Sequence, residues 1–225
     1  MSKYLIKFNK LSYAKYISHL DMNRMFRRII RASGIKLSYS QGYNPHPKMN
    51  FAQPLPLAYE GYNEMLMIEC DEFYETDFIE KALSERMPLG FEILSCVEMD
   101  QDIKSLAAIA NYSNYTLFIP GEYTVEDVAG YLNQAEIKAL KRMKKTKEYA
   151  WVDIKDKILA FELLEGKDEI QRSPFSLKAD SRAESILSPE LVIQSFLNYL
   201  NKEIPREEID VERNEVALLK SVDKF

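Results

Sequence analysis

Hydrophobic residues recur at helical spacing in a segment near the amino terminus. Their positions follow the i, i+3, i+4, i+7, i+8 pattern of one helix face: Met22, Met25, Phe26, Ile29 and Ile30. The residues Ser18-His19-Leu20-Asp21 have the form of a capping box, so the helix is expected to begin at His19. Gly34 stands where a left-handed residue would end it. The pattern predicts a helix over 19–33 that buries its apolar stripe.

Alternating apolar and polar residues on both sides of this helix predict strands. The predicted strands of the first half are residues 3–9, 35–40, 64–69 and 90–99. A second amphipathic helix is predicted over 76–87, with Phe78, Ile79, Ala82 and Leu83 facing inward. The resulting element order is βαββαβ.

The pattern loosens between Asp100 and Ser113 and then recurs. The second half predicts a strand at 115–119, a helix at 124–134, strands within 149–179, a helix beginning at Ser188-Pro189 and a last strand at 209–219. We therefore predict an α+β fold of two tandem ferredoxin-like units, each an antiparallel sheet with helices on one face. The predicted domains are residues 1–105 and 106–225. Strand pairing within 35–57 and 149–179 stays open.

Composition places the chain among ordinary globular proteins. Of its 225 residues 46% are apolar and 29% are charged, and its apolar runs are far shorter than the roughly 18 residues of a membrane helix. We expect a cytoplasmic protein with no membrane partner. Cys70 and Cys96 are too far apart for a metal-ligand pair and are expected to be buried thiols. With no phosphate-cradling glycine loop either, neither a metal nor a cofactor is expected.

Charge is distributed unevenly along the chain. Residues 1–50 carry ten Lys or Arg against one acid, or +9, whereas the whole chain is at −5, which leaves −14 for the remainder. A basic segment on an acidic body favours local binding of an anionic partner, with phosphate the natural candidate. The alternative is a solvated face that pairs with the acidic half of the chain.

Two basic clusters and one stiff loop supply the candidate binding residues. The helix 19–33 carries four arginines away from its apolar stripe: Arg24, Arg27, Arg28 and Arg31. Pro45 and Pro47 stiffen the loop that follows. That region contributes Tyr39, Gln41, Tyr43, Asn44, His46 and Lys48. A second cluster before the Trp151 strand contributes Lys141, Arg142, Lys144 and Lys145, for which a solvated helix end and loop is the alternative reading.

Three stretches of the chain resemble a known bacterial family. They read ISHLD, RRIIRASGIKLSYSQGYNPHPKMNFAQPLPLA and KKTKEYAWVDIK. On these residues the chain resembles the radical-SAM-associated, or radical-SAM-linked, proteins, whose biochemical role is not established. It departs from their pattern at Ala58, where glycine is usual. The resemblance implies a radical-SAM enzyme as partner, while two cysteines are too few to ligate that enzyme's iron cluster in this chain.

Three functions are compatible with these features. The first is a non-catalytic RNA-binding module, with DNA not expected, in which tyrosines between the cations stack on unpaired bases. The second is a protein–protein adaptor that docks an acidic surface of the radical-SAM partner. The third is a metal-independent endoribonuclease in which His19 and His46 act as acid and base beside Lys48. We expect binding rather than catalysis, and the first function is the prediction that we carry forward.

Overall fold

Antiparallel strand pairing dominates the computed structural model, which describes residues 2–99, 102–103, 105–143 and 146–219. The predicted α+β class is confirmed. The chain forms two units: one runs from the amino terminus to Asn111 and resumes at Arg213, and the other spans Tyr112–Glu212. Within the described ranges, no helix combines the length and apolar character that crossing a membrane requires.

Among its described residues before Asn111, the first unit contains four strands and three α-helices. In chain order they are β1 (Ser2–Lys10), α1 (His19–Ala32), β2 (Met49–Phe51), β3 (Tyr59–Cys70), α2 (Thr76–Ser84), β4 (Phe91–Glu98) and α3 (Leu106–Ile109). Strand β1 lies between β3 and β4 and pairs antiparallel with both, while β2 pairs antiparallel with β3. Among the described residues before Asn111 the strands pair in the order β4-β1-β3-β2, with α1 and α2 on one face of the sheet and Leu106 of α3 on the other.

Helix α1 packs on this sheet through the predicted apolar stripe. Met22, Phe26 and Ile30 are buried, and the Phe26 ring lies 4.9 Å from that of Phe8 on β1. Ser18 caps the helix by accepting from the Asp21 N–H, but its hydroxyl donates to the Asp21 carboxylate at 2.8 Å in place of the expected return bond. Helix α1 thus begins where the sequence predicted, with one half of the predicted capping box changed.

Helix α1 also ends as predicted, with Gly34 at a φ of +78°. The expectation for helix α2 was less accurate. Ile79, Ala82 and Leu83 are buried, but Phe78 is exposed and stacks on Tyr74 with ring centroids 5.9 Å apart. The prediction that Phe78 faces inward is therefore wrong.

Residues 35–40, which are all described, do not form the predicted strand. Leu37 and Tyr39 make only single bridges, to Cys70 and Pro47 respectively. Ile35 and Leu37 are buried in the core of the unit, so the alternation reflects burial of loop residues. The second strand of the unit is instead the short β2.

The second unit has its own helices and an aromatic core. Its elements are β5 (Ala110–Pro120), α4 (Val125–Leu132), β6 (Lys138–Arg142), β7 (Tyr149–Asp153), β8 (Ile158–Leu163), β9 (Arg172–Asp180), α5 (Pro189–Tyr199) and β10 (Asp210–Leu218), whose last residues belong to the first unit. Strand β9 pairs antiparallel with β5 and β8, and β6 pairs with β7 as a separate ribbon. These registers give the pairing that the sequence left open in 149–179.

Both cysteines are buried thiols, as predicted. Cys70 and Cys96 are free, and burial raises the pKa of each thiol to about 12. A thiol that stays protonated at neutral pH is a poor nucleophile and a poor metal ligand. The two residues therefore fill the core of the first unit.

Ala58, the departure from the family pattern, has the left-handed φ of +66°. A side chain in this region costs about 1 kcal/mol because Cβ crowds the following carbonyl. We expect Ala58→Gly to stabilise the protein by about 0.5 kcal/mol, measured by urea unfolding. Ala32→Gly at the end of α1, where φ is ordinary, is the control and should destabilise by about 0.5–1 kcal/mol. Equal losses in both variants would contradict strain at Ala58.

Candidate nucleic-acid interface

The arginines of α1 point away from its buried stripe, because they occupy the opposite side of the helix. Arg24 is exposed and pairs with Asp21 at 3.0 Å on the same helix. Arg27, Arg28 and Arg31 are also exposed, and within the described ranges these three guanidinium groups form no ion pair. Three uncompensated cations therefore project from one helix surface.

These three arginines border a cleft of about 740 Å³, which we call the anion cleft. Its lining consists of Arg27, Arg28, Arg31, Gly34, Ile35, Lys36, Leu37, Tyr39 and Pro47. Lys36 is a fourth cationic residue of the lining. Its ammonium pairs with Glu72 at 2.8 Å, and its side chain stays 68% exposed. Tyr39, which is about half exposed, adds an aromatic ring at the same cleft.

The sequence did not identify Lys36 as a site residue. Lys36 lies in the run of alternating apolar and polar residues after α1, which predicts a strand. A strand position does not indicate whether a side chain lines a cleft. The buried neighbours Ile35 and Leu37 turn Lys36 outward, so the signal was the alternation itself combined with the preceding basic helix.

The loop that follows the anion cleft is closed at its base, where residues 38–40 lie against residues 46–48. We call this base the neck of the loop. The Ser38 N–H donates to the Glu69 carbonyl, and the Lys48 N–H donates to the Ser38 carbonyl. Ser40 and His46 are joined twice, because the Ser40 N–H donates to the His46 carbonyl and the His46 N–H donates to Ser40 Oγ. The tip is thus held by backbone bonds in addition to the two prolines.

The tip of this loop is solvated and presents the predicted side chains. Gln41, Tyr43, Asn44 and His46 are all exposed, and Tyr43 is fully so. Gly42 has a φ of +135°, which side-chain-bearing residues rarely adopt, and it makes the turn possible. Four predicted binding residues therefore lie on one exposed loop that is anchored at the edge of the cleft.

Lys48 differs from the expectation of a free cation. Its ammonium bonds the Glu69 carboxylate at 2.9 Å, with the two side chains 34% and 16% exposed. The pair straddles the neck of the loop, where the Glu69 N–H also donates to the Lys48 carbonyl. Lys48 thus tethers the loop to β3, and its role as a ligand-binding cation stays a prediction.

His19 occupies an environment that disfavours its charged form. Its ring packs edge-on against Phe51 at 5.2 Å, and its buried Nδ1 lacks a hydrogen-bond partner within the part of the chain that the structure describes. Burial lowers the pKa of His19, and the charges of Lys10 and Arg213 lower it further. His19 is therefore a neutral packing residue at physiological pH.

The strand register separates the two histidines. Phe51, which His19 touches, pairs with Leu66. The neck below His46 is attached to β3 at Glu69, three residues further along, or about 10 Å. His19 and His46 are thus held at different points of the sheet edge. Acid–base cleavage by the pair, with Lys48 beside it, would require both rings to reach one phosphate, and this hypothesis stays a prediction.

The second basic cluster lies on the β6–β7 ribbon. Arg142 is exposed and Lys141 is half-buried, on opposite faces of β6. Lys144 and Lys145 lie outside the described residues. The described part of the cluster belongs to the second unit.

The sequence profile of one family matches residues 3–190 of this chain, which is most of its length. Its description reads "Uncharacterized protein conserved in bacteria (DUF2344)". The chain belongs to this family. No curated protein matches this DUF2344 protein.

Two solved structures are similar to this DUF2344 protein at 10% sequence identity. A chain of a Cbf5-Nop10-Gar1 complex matches 95% of it with a TM-score of 0.51, and 48% of that chain is covered. A chain of an archaeal box H/ACA sRNP Nop10-Cbf5 complex matches 97% of it with a TM-score of 0.49, and 49% of that chain is covered. The protein thus spans about half the length of these solved chains, and the likeness is one of fold alone.

Proposed function

We propose that this protein is a non-catalytic RNA-binding module that binds unpaired RNA at the anion cleft and the adjoining loop. One observation carries the proposal: Arg27, Arg28 and Arg31 lie exposed and without ion pairs, as far as the structure is described, on a cleft shared with Lys36 and Tyr39. Cations that neutralise phosphates supply most of the affinity of proteins for nucleic acids. Guanidinium groups suit this task because they bind phosphate with paired donors.

Aromatic exposure favours unpaired RNA as the ligand. Tyr39 and Tyr43 are both exposed beside the cations, where their rings are available to bases that no partner strand covers. The remaining residues carry −14 in total, so the charge of residues 1–50 favours a polyanion more than the average of the rest of the chain does. Cations and rings together match a single strand better than a duplex, whose bases are already stacked.

A second candidate function is an adaptor that docks the separate radical-SAM enzyme implied by the sequence resemblance. The observation that favours it is a group of apolar side chains around the start of α1. Tyr13, Tyr16 and Leu20 are all more than half exposed. Exposed aromatic and aliphatic side chains close to a cationic surface are typical of protein interfaces. RNA binding and such docking would use neighbouring surfaces.

We further propose that both units follow the ferredoxin-like plan. The β4-β1-β3-β2 order of the first unit supports this for residues before Asn111. In the second unit, the order β5-β9-β8 repeats the β1-β3-β2 part of that order, with the β6–β7 ribbon following α4 in the chain. In this plan the helices cover one face of a four-stranded sheet.

Binding of a fluorescently labelled, unstructured RNA of about 12 nucleotides, followed by anisotropy, tests the proposed function. The proposal predicts saturable binding that weakens as salt is raised, because counterion release drives association with phosphates. A duplex of equal length should bind less tightly. Failure to bind at low salt, or binding that is insensitive to salt, would contradict the proposal.

A further inference from the structure

The β6–β7 ribbon of the second unit carries two exposed aromatic side chains on one face. Tyr149 and Trp151 are 66% and 62% exposed, although large aromatic residues usually contribute to cores. They stand two residues apart on β7, so their side chains point to the same side of the strand, about 7 Å apart along it. About two thirds of the surface of each side chain is therefore open to a partner.

The strand register adds a cation to the same face. Arg142 lies directly opposite Tyr149 and Leu140 directly opposite Trp151, and residues opposite each other share a face. The Arg142 side chain is held by its own loop, because Nε donates to the Lys147 carbonyl at 3.2 Å. The exposed face of the ribbon therefore combines two rings with an oriented guanidinium group.

The base of the ribbon is firmly anchored, so this face is presented in a defined position. The Ile154 N–H donates to the Ile137 carbonyl, and both side chains are buried. Asp153 accepts from the N–H groups of Ile137 and Lys155, which lowers the pKa of Asp153. On β6 the Leu140 N–H donates to Gln194 of α5 at 3.2 Å.

The net charge of the ribbon and its flanking residues indicates what kind of partner binds this face. Residues 138–155 carry seven Lys or Arg against two acids, a net charge of +5 within a chain whose total is −5. A protein partner selected by apolar contact alone has no need of this charge, whereas an unpaired polynucleotide offers both a phosphate backbone and flat bases. Surfaces that bind single-stranded nucleic acids usually carry exposed aromatic rings between cationic side chains.

We propose that the β6–β7 ribbon is a second nucleic-acid-binding site, at which Tyr149 and Trp151 stack on unpaired bases while Arg142 contacts phosphate. The site deepens the proposed function, since it would bind the same class of ligand as the anion cleft. It nevertheless has a readout of its own.

Trp151 is the only tryptophan in the chain, so its fluorescence reports on this site alone. Titration of the full-length protein with an unlabelled 12-nucleotide oligoadenylate should quench the emission, because stacked bases quench indole. Poly-L-glutamate, which has charge without bases, should leave the emission unchanged, as should the oligoadenylate in its duplex with oligouridylate. N-acetyl-tryptophanamide under the same additions corrects for absorption by the nucleic acid.

Two variants test the stacking role by anisotropy with labelled oligoadenylate. Trp151→Leu should weaken binding about tenfold, the size expected from one lost base stack, while Trp151→Phe should keep most of the affinity. RNA binding without quenching, or equal affinity of the Leu and Phe variants, would overturn the ribbon site and leave the anion cleft standing. Quenching that persists when Arg27, Arg28 and Arg31 are changed to Glu would support the ribbon site even if the anion cleft fails. Absence of both binding and quenching would overturn both sites.

Discussion

Replacing Glu64 by alanine is expected to destabilise the protein by about 3–5 kcal/mol, which we would measure by urea unfolding followed by circular dichroism. Glu64 on β3 forms a double ion pair with Arg213, with bonds of 2.8 Å and 2.6 Å, and the two side chains are 5% and 2% exposed. Arg213 also donates to the Gln53 carbonyl, so the pair ties three segments of the first unit together. Removing the carboxylate leaves a buried guanidinium without its counter-charge.

Two controls separate burial from charge in this experiment. Glu72→Ala breaks the exposed Lys36–Glu72 pair and should cost less than about 1 kcal/mol. The double variant Glu64→Leu with Arg213→Met removes both buried charges, and it should recover most of the stability lost by Glu64→Ala. A loss below about 1 kcal/mol in Glu64→Ala, or a double variant as unstable as the single one, would contradict a strongly coupled buried pair.

Reversing the charges of the anion cleft should produce the largest effect on binding. A cation about 4 Å from a phosphate contributes about 1 kcal/mol in water, so losing three such attractions costs at least about 3 kcal/mol, and repulsion by the new carboxylates adds to this cost. The variant Arg27→Glu/Arg28→Glu/Arg31→Glu should therefore bind unstructured RNA about 100-fold more weakly at low salt. All three side chains are exposed, so the free energy of unfolding should change by less than about 1 kcal/mol.

A charge-preserving variant is the matched control for this reversal. Arg27→Lys/Arg28→Lys/Arg31→Lys keeps the three positive charges and loses only the planar guanidinium geometry. It should retain most of the affinity if the helix contacts phosphates. Wild-type affinity in the Glu variant would remove the anion cleft from the account. An unfolded Glu variant would instead show that these arginines stabilise the fold.

Helix α1 shows which parts of the fold were predictable from sequence. Its apolar stripe and Gly34 depend on neighbours within a few residues, so their spacing carries the information that the structure uses. The exposure of Arg27, Arg28 and Arg31 follows from the same spacing, because the side of a helix opposite its buried stripe faces solvent. Local periodicity was therefore enough for the helix and for half of the candidate site.

Features that depend on residues far apart in the chain could not be predicted from the sequence. Glu64 and Arg213 are 149 residues apart, and nothing local to either marks it as one half of a buried pair. The alternation at 35–40 was read as a strand because single-strand patterns do not reveal whether a partner continues the ladder. Lys48 looked free for the same reason, since its partner Glu69 is 21 residues away on β3.

The salt dependence of RNA binding by the wild type and by the triple Glu variant tests whether Arg27, Arg28 and Arg31 contact RNA phosphates. For single strands the slope of log K against log salt is about −0.7 for each phosphate that the protein neutralises. If Arg27, Arg28 and Arg31 each contact one phosphate, the variant's slope should be shallower than that of the wild type by about 2. Parallel slopes for the two proteins would show that these arginines do not contact the RNA, and would contradict the proposed function of the anion cleft.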